Sequence, residues 1–248
     1  MELSPDEMIR YSRQIRMAQI GSEGQMKLKK ARVFLAGLGG LGSVSAYYLA
    51  AAGVGHLRIV DKDTVSLDNL NRQILHFTKD IGRAKTASAR EKLEALNPEC
   101  HIEVIQDEID ERSGELLVDG SDLILDGMDN FRTRRILNRV AVKKRIPFIV
   151  GGVDGLSGMV FTVIPGVAPC FECIFPGVDE EREVAVLGAT AGVVASLQVM
   201  EAVKVILRLG KTLSGRLLVF QGRDMTFREI AIERNPKCVV CSAVEGNP

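Results

Sequence analysis

The 248 residues carry 32 Lys plus Arg against 32 Asp plus Glu, a formal net charge of zero, and are 46% hydrophobic. That length suffices for one large domain with a real core. The balanced charge excludes a global field aimed at nucleic acid or a membrane surface, and the acidic opening Met1-Glu2-Leu3-Ser4 is unlike a secretory leader, so a cytoplasmic protein is expected.

Ser4-Pro5-Asp6-Glu7 reads as a helix start, with Ser as cap, Pro at the first position and Glu closing a capping box. The helix is expected to run to about Ile20, with Arg10 and Arg13 one turn apart. From Arg32 an apolar run empties into Gly37-Leu38-Gly39-Gly40-Leu41-Gly42, and the next apolar run, Leu57 to Val60, ends on Asp61. Strand, glycine turn, helix, strand and carboxylate thus follow in the order of a nucleotide-binding unit. Gly37 permits the tight turn, Gly39 lets the backbone approach a phosphate, and Gly42 lets the helix pack close to the strand. Asp61 can accept hydrogen bonds from a ribose diol, and unpaired N–H groups at the helix start suit phosphate. The plainer alternative is that the glycines serve helix–sheet packing alone.

Alternation continues. Arg83 to Leu96 reads as helix, His101 to Ile105 as strand, and Leu123 to Asp126 as an apolar strand emptying into Gly127-Met128-Asp129-Asn130. Phe131 to Lys144 reads as a helix with a basic outer face, and Pro147 to Gly151 as a strand. Unbroken Val, Ile and Leu strands separated by helices indicate a largely parallel sheet covered on both faces. After Gly152 the pattern changes. Met159 to Ile164 reads as a strand, polar Asp179 to Glu183 follows a cysteine-bearing loop, and Gly188 to Leu209 reads as a long apolar helix. Its Gln198, Glu201 and Lys204 suit a buried helix better than a membrane span. A hairpin from Arg216 to Glu233 closes the series, with no internal repeat or linker.

Four of the five cysteines form two knuckles, Cys170-Phe171-Glu172-Cys173 and Cys238-Val239-Val240-Cys241. Paired C-x-x-C segments read as a closed, structural zinc site. A redox pair is the alternative. It needs a helix N-terminus, whereas Pro169 and Pro176 make the first knuckle read as a loop. Cys100 reads as an inert, part-buried thiol.

In open parallel sheets the ligand sits at the carboxyl ends of the strands. Asp61-Lys62-Asp63, Asp68-Asn69-Leu70-Asn71-Arg72-Gln73, Lys85 and Asp129-Asn130 fall near such ends. Singly, each has an ordinary explanation: Asn69 and Asn71 as turn residues, Arg72 as a solvated cation, Asp129 as a helix cap. Together they supply ribose recognition, two cations and a carboxylate able to hold Mg²⁺, which a triphosphate needs and a hydride-transfer site does not.

The glycine turn, Asp61, the Asn69-Leu70-Asn71-Arg72-Gln73 run, Lys85, Asp129-Asn130, the opening Arg10-Tyr11-Ser12-Arg13-Gln14-Ile15, Ala52-Gly53-Val54-Gly55, Ser196 to Ala202 and both cysteine knuckles resemble the ubiquitin-activating-enzyme-like adenylyltransferases, the ThiF/MoeB/HesA family. The resemblance runs from about residue 9 to 241 and is closest to the MoeB-type sulfur-carrier activators. It implies an α/β, Rossmann-like, doubly wound and mostly parallel sheet with a C-terminal antiparallel extension and a four-cysteine zinc clip. Residues 1–20 would be an N-terminal helix, 28–152 the nucleotide-binding core, and 153–248 a partner-binding and zinc-clip region of one domain.

The resemblance implies a homodimer that uses ATP and Mg²⁺ to convert the C-terminal Gly-Gly carboxylate of a small ubiquitin-like sulfur carrier into an acyl-adenylate. Asp61 would take the ribose and Gly39–Gly42 the phosphates. Arg72 and Lys85 would neutralise the triphosphate, Asp129 would hold the metal, and Arg13 would reach into the neighbouring subunit's site. Some relatives carry a cysteine between the first knuckle and the long helix; residues 174–187 here contain none. Activity is therefore expected to stop at the adenylate. With no extension for a sulfur-donating domain, a separate protein is expected to supply sulfur. Competing readings are an NAD-dependent oxidoreductase, a non-enzymatic scaffold, and adenylation of a small molecule or a tRNA base, the zero charge weighing against the last.

Overall fold

The protein is described by a computed structural model, over residues 2–178 and 184–242. Eight strands, β1 (Arg32–Ala36), β2 (His56–Val60), β3 (His101–Ile105), β4 (Leu123–Asp126), β5 (Phe148–Asp154), β6 (Ser157–Val163), β7 (Arg216–Gln221) and β8 (Thr226–Ala231), form one sheet. Its order is β3-β2-β1-β4-β5-β6-β7-β8. The first five run parallel and the last three antiparallel, as the change of pattern after Gly152 predicts. The chain moves outward from β1 to β3 and then returns to lay β4 on the other side of β1. The crevice between β1 and β4 is therefore the switch point where such sheets bind ligands.

Side chains alternate between two apolar layers. Val33 and Leu35 of β1 point into one, with α4 (Gly40–Ala52), α5 (Lys85–Leu96) and α9 (Gly188–Leu207); Phe34 and Ala36 point into the other, with α6 (Gly114–Leu117), α7 (Phe131–Lys144) and the cysteine knuckles. By length and composition α9 is apolar enough to cross a membrane. It instead packs on α4, β5 and β6. Its buried Glu201 accepts from Thr162 Oγ1 at 2.9 Å and from the Leu213 N–H at 2.6 Å, and pairs with Lys204.

The N-terminal segment departs from the expected single helix. The Ser4 capping box is present, but the helix divides into α1 (Pro5–Arg10) and α2 (Ser12–Ile15), and a third helix, α3 (Gly21–Lys30), follows. The break lies at Tyr11, whose ring turns inward to 3% exposure and whose hydroxyl accepts from Asn97 Nδ2 at 2.8 Å. Burying that ring outweighs one more helical turn. The first cysteine knuckle is likewise not a plain loop. Cys170 starts α8 (Phe171–Ile174), because Phe171 packs among Phe131, Phe161 and Phe175 while its N–H is taken by Asn138 Oδ1. The polar stretch Asp179 to Glu183 lies outside the described residues.

Candidate active site

A cleft of about 1150 Å³ opens at the β1–β4 switch point. Its floor is the glycine turn. Gly37 takes φ +87°, in the left-handed region, and donates its N–H to the Val60 carbonyl at 2.8 Å. Gly39 stands at the N-cap of α4 with no side-chain cap, so the first N–H groups of that helix face the cleft unclaimed, as an anion site requires. At Gly42 an added Cβ would lie 2.0 Å from the Gly37 carbonyl oxygen. Gly42→Ala is therefore expected to push the turn open, weakening ATP binding at least tenfold by calorimetry while the far-UV spectrum is retained; unchanged affinity would separate this contact from the nucleotide site.

Asp61 ends β2 and is fixed by two amides: Oδ2 accepts from Leu38 N at 2.7 Å and Oδ1 from Asp63 N at 2.8 Å. Burial pushes its carboxyl up from the usual range, opposed by the charge of Lys85 and by those two hydrogen bonds. Lys85 opens α5 almost fully buried, with Nζ 2.9 Å from Asp63 Oδ2. Arg72 lies over Gly40, its Nη1 donating to the Asp68 carbonyl at 2.8 Å and to Asn71 Oδ1 at 3.1 Å. Gln73 also lines the cleft, and its buried Oε1 has no hydrogen-bond partner among the described residues.

The structure thus brings Gly37, Gly39, Gly40, Asp61, Asp63, Arg72, Gln73, Lys85, Asp129 and Asn130 around one cleft. Gly42 stands behind the turn it permits. Asn69 and Asn71 do not line the cleft; Asn69 Oδ1 accepts from Ser66 N in a short 3-10 turn, and Asn71 braces Arg72. Asn130 is the cap of α7, accepting from Thr133 N at 2.8 Å, which leaves the Asp129 carboxylate exposed with no ion pair among the described residues. Its Oδ1 accepts only from Asn130 Nδ2, at 3.3 Å, among the described residues, and an exposed carboxylate beside a phosphate floor fits Mg²⁺, which takes one or two protein carboxylates and completes its shell with phosphate oxygens and water. Arg13 is exposed on α2 and does not line this chain's own cleft.

Sequence reasoning missed the pair beneath the floor. Asp126, fully buried at the end of β4, lies 2.8 Å from Arg134 Nε, and Arg134 Nη2 donates to the carbonyls of Met128 and Gly151. Asp126 Oδ1 also accepts from Met128 N. This pair shapes the turn that carries Asp129. Asp107, Glu108 and Ile109, following β3, also line the cleft unforeseen.

The four knuckle sulfurs lie within 4.8 Å of one another, with Cys170–Cys238 at 3.6 Å and Cys173–Cys241 at 3.5 Å. Zn–S bonds of about 2.3 Å in a tetrahedron require S···S edges of about 3.8 Å, so the donor set fits zinc, and these separations far exceed a disulfide bond of about 2.05 Å. Convergence of all four, rather than the absence of a helix, is what disfavours a redox pair. Cys100 is buried, and burial pushes its thiol up to about 12.

Residues 11–240 match the ThiF family. The chain is 39% identical over 247 residues to the SAMP-activating enzyme E1 of Haloferax volcanii, covering 97% of this chain and 91% of that one. It is 40% identical over 249 residues to the adenylyltransferase and sulfurtransferase MOCS3 of Drosophila persimilis, covering 98% of this chain but 55% of the relative. The chain thus spans about half the length of that relative. Among solved structures, E. coli MccB with ATP superposes with a TM-score of 0.84 at 25% identity, covering 94% and 74% of the two chains. PaaA superposes at 0.80 and 30% identity, covering 93% and 75%. The chain belongs to the ThiF family, as an adenylyltransferase of its MoeB type.

Proposed function

We propose that the chain activates the C-terminal Gly-Gly carboxylate of a small ubiquitin-like sulfur carrier, in the cytoplasm and as a homodimer, for molybdenum cofactor or thiamine biosynthesis. The observation that carries this reading is the two-part character of the cleft. Its inner half is glycine-floored, with Arg72 and Lys85 set beside Asp61, Asp63 and Asp129. Its outer half continues past Gly152, Asp154, Ser157, Gly158, Met159, Phe175, Leu217 and Val219, a lining mostly of glycines and apolar side chains. A free small-molecule substrate has no use for that second half.

In this reading the carrier's carboxylate oxygen attacks the α-phosphorus of ATP, the bond to the bridging oxygen breaks, and pyrophosphate leaves in line. Asp61 holds the ribose hydroxyls and so fixes the α-phosphorus above the turn. The α4 N–H groups, Arg72 and Lys85 take the charge that builds on the phosphates; positioning and cations are most of what this chemistry asks of a protein. A Mg²⁺ ion on Asp129 would add charge neutralisation there. Arg13, remote from its own cleft, would act in the neighbouring subunit's. The reaction ends at the acyl-adenylate, and a separate donor protein supplies sulfur. The test is mass spectrometry of carrier incubated with enzyme and ATP. A carrier–AMP adduct is expected, and is to be absent for a carrier shortened by its last glycine. Adduct on a small acid or on RNA instead would replace this reading.

The four-cysteine clip would hold zinc and pin 238–241 to Cys170 and Cys173 at α8. Metal analysis is expected to give about one zinc per chain, and Cys238→Ser to lose it and lower the melting temperature. Full metal loss with unchanged melting would deny the clip its structural role.

A further inference from the structure

Strands β4 and β5 separate where the cleft begins. Their pairing ends at Leu125–Ile149, and a parallel ladder carried further would bring a β5 amide to the Asp126 carbonyl. The β5 amide at that level, Gly151 N, instead donates to the Asp126 side chain, at 3.4 Å from Oδ2. The Asp126 carbonyl accepts from another element, Gln198 Nε2 of α9, at 2.7 Å. A carbonyl oxygen only accepts, so this bond fixes which way the Gln198 amide points. Gln198 is fully buried. It reaches β4 by lying across β5 at Gly151, where an added Cβ would fall 2.4 Å from Gln198 Cδ.

Asp126 is thereby held from both faces of the sheet, its carboxylate by Arg134 of α7 and its carbonyl by Gln198 of α9. The chain then runs through Gly127, whose N–H returns to the Ala36 carbonyl at 2.7 Å, to Asp129. The same face of α9 touches the other parts of the phosphate site. An added Cβ on Gly188 would lie 2.4 Å from the Asn71 carbonyl oxygen and 3.2 Å from Arg72 Cα, and one on Gly40 would lie 3.2 Å from Ala191 Cβ. Residues 188, 191 and 198 share one face at helical spacing. One rigid helix therefore spans about 15 Å, from Arg72 past the glycine turn to the turn that carries Asp129. Its first two contacts are close packing, and the contact at Gln198 is a directional bond.

We infer that Gln198 is a positioning residue for the adenylation site, whose bond to the Asp126 carbonyl sets the Asp129 turn at a fixed distance from Arg72 and the glycine floor. A metal ion shared between Asp129 and the phosphates needs that distance held, because Mg²⁺ demands near-ideal octahedral geometry. This rests on the reading of Asp129 as the Mg²⁺ carboxylate given above. It also accounts for a glycine inside β5: any side chain at 151 would displace the Gln198 amide from its place across the sheet.

Gln198→Met keeps the length of the side chain and removes the donor. It also removes Oε1, a buried acceptor with no partner among the described residues, so the fold is expected to survive, as circular dichroism checks. Val199→Ala, in the core on the same helix, opens a small cavity and is the control for lost stability alone. The measurement is calorimetry with ATP, first in EDTA and then in Mg²⁺. The gain in ATP affinity that Mg²⁺ brings is expected to shrink by about tenfold or more in Gln198→Met, the usual effect of loosening the support of a metal ligand. Its affinity in EDTA is expected to match wild type closely. Val199→Ala is expected to melt lower and to keep the full gain. A gain retained in Gln198→Met, or equal falls in EDTA and in Mg²⁺, would overturn the role of Gln198 alone. No gain from Mg²⁺ in the wild type would overturn the metal role of Asp129, and this inference with it.

Discussion

Arg72→Ala is expected to lower carrier-dependent ATP–pyrophosphate exchange by about 10²–10³-fold, roughly 3–4 kcal/mol of barrier, taking the loss of one oxyanion-stabilising donor as the guide. The side chain lies over Gly40 with its guanidinium held by the Asp68 carbonyl and Asn71 Oδ1, so it is set in place before substrate arrives. Nothing in the packed core depends on it, and the melting temperature is expected to stay within a degree or two. Arg72→Lys keeps the charge but loses the second donor that those two acceptors orient, and is expected to recover only part of the rate. An alanine variant that exchanges at the wild-type rate would remove Arg72 from the chemistry.

Arg134→Ala is expected to act through the fold. It removes the guanidinium from Asp126 and leaves the Met128 and Gly151 carbonyls without that donor. Breaking a buried pair from one side costs about 3–5 kcal/mol, which for a chain of this size lowers the melting temperature by about 6–20 °C. The effect carries a pH signature. In the wild type burial already pushes the Asp126 carboxyl up, against the pull of Arg134; in the variant burial acts with that pull gone. The folded-state pKa then lies well above the unfolded value of about 3.9. Stability from such a group is fully present below the unfolded value and is lost as pH rises through the folded one. The deficit against wild type should therefore be widest at neutral pH and shrink in mild acid. Urea unfolding of both proteins at pH 7 and pH 4.5 reads this directly, and a deficit that grows in acid would contradict the account. The double change Asp126→Asn with Arg134→Met, which leaves no buried charge, is expected to recover part of the loss.

What was legible in the sequence was whatever local residue order dictates. Gly37 to Gly42 followed by Asp61 specifies a turn, a helix start and a carboxylate in fixed succession, and the structure has each there. Cysteine knuckles announce themselves by spacing, and the capping box of Ser4 and Glu7 is as written. The unread parts were decided by contacts distant in sequence. The N-terminal helix breaks at Tyr11 because Asn97, 86 residues away, donates to its hydroxyl. The helix α3 starts with Gly21 and holds Gly24, poor helix formers, and it exists because Leu28 and Gln25 bury against the core. Arg134 sits among Arg132, Arg135 and Arg139 on α7, and composition alone gave all of them to solvent; only the position of Asp126 behind the turn selects the one that points inward. The first cysteine knuckle became a short helix because Phe171 had an aromatic cluster to enter. Arg13 is legible only by resemblance, since one chain's fold leaves it far from the cleft it would serve.

The most direct measurement of the central claim is ATP–pyrophosphate exchange by the wild-type protein, run with and without a small ubiquitin-like carrier ending in Gly-Gly. Exchange that requires both the carrier and its terminal glycine is the predicted result. Exchange that proceeds equally without carrier, or none with any such carrier while ATP still binds, would contradict carboxylate activation of a carrier protein by this cleft.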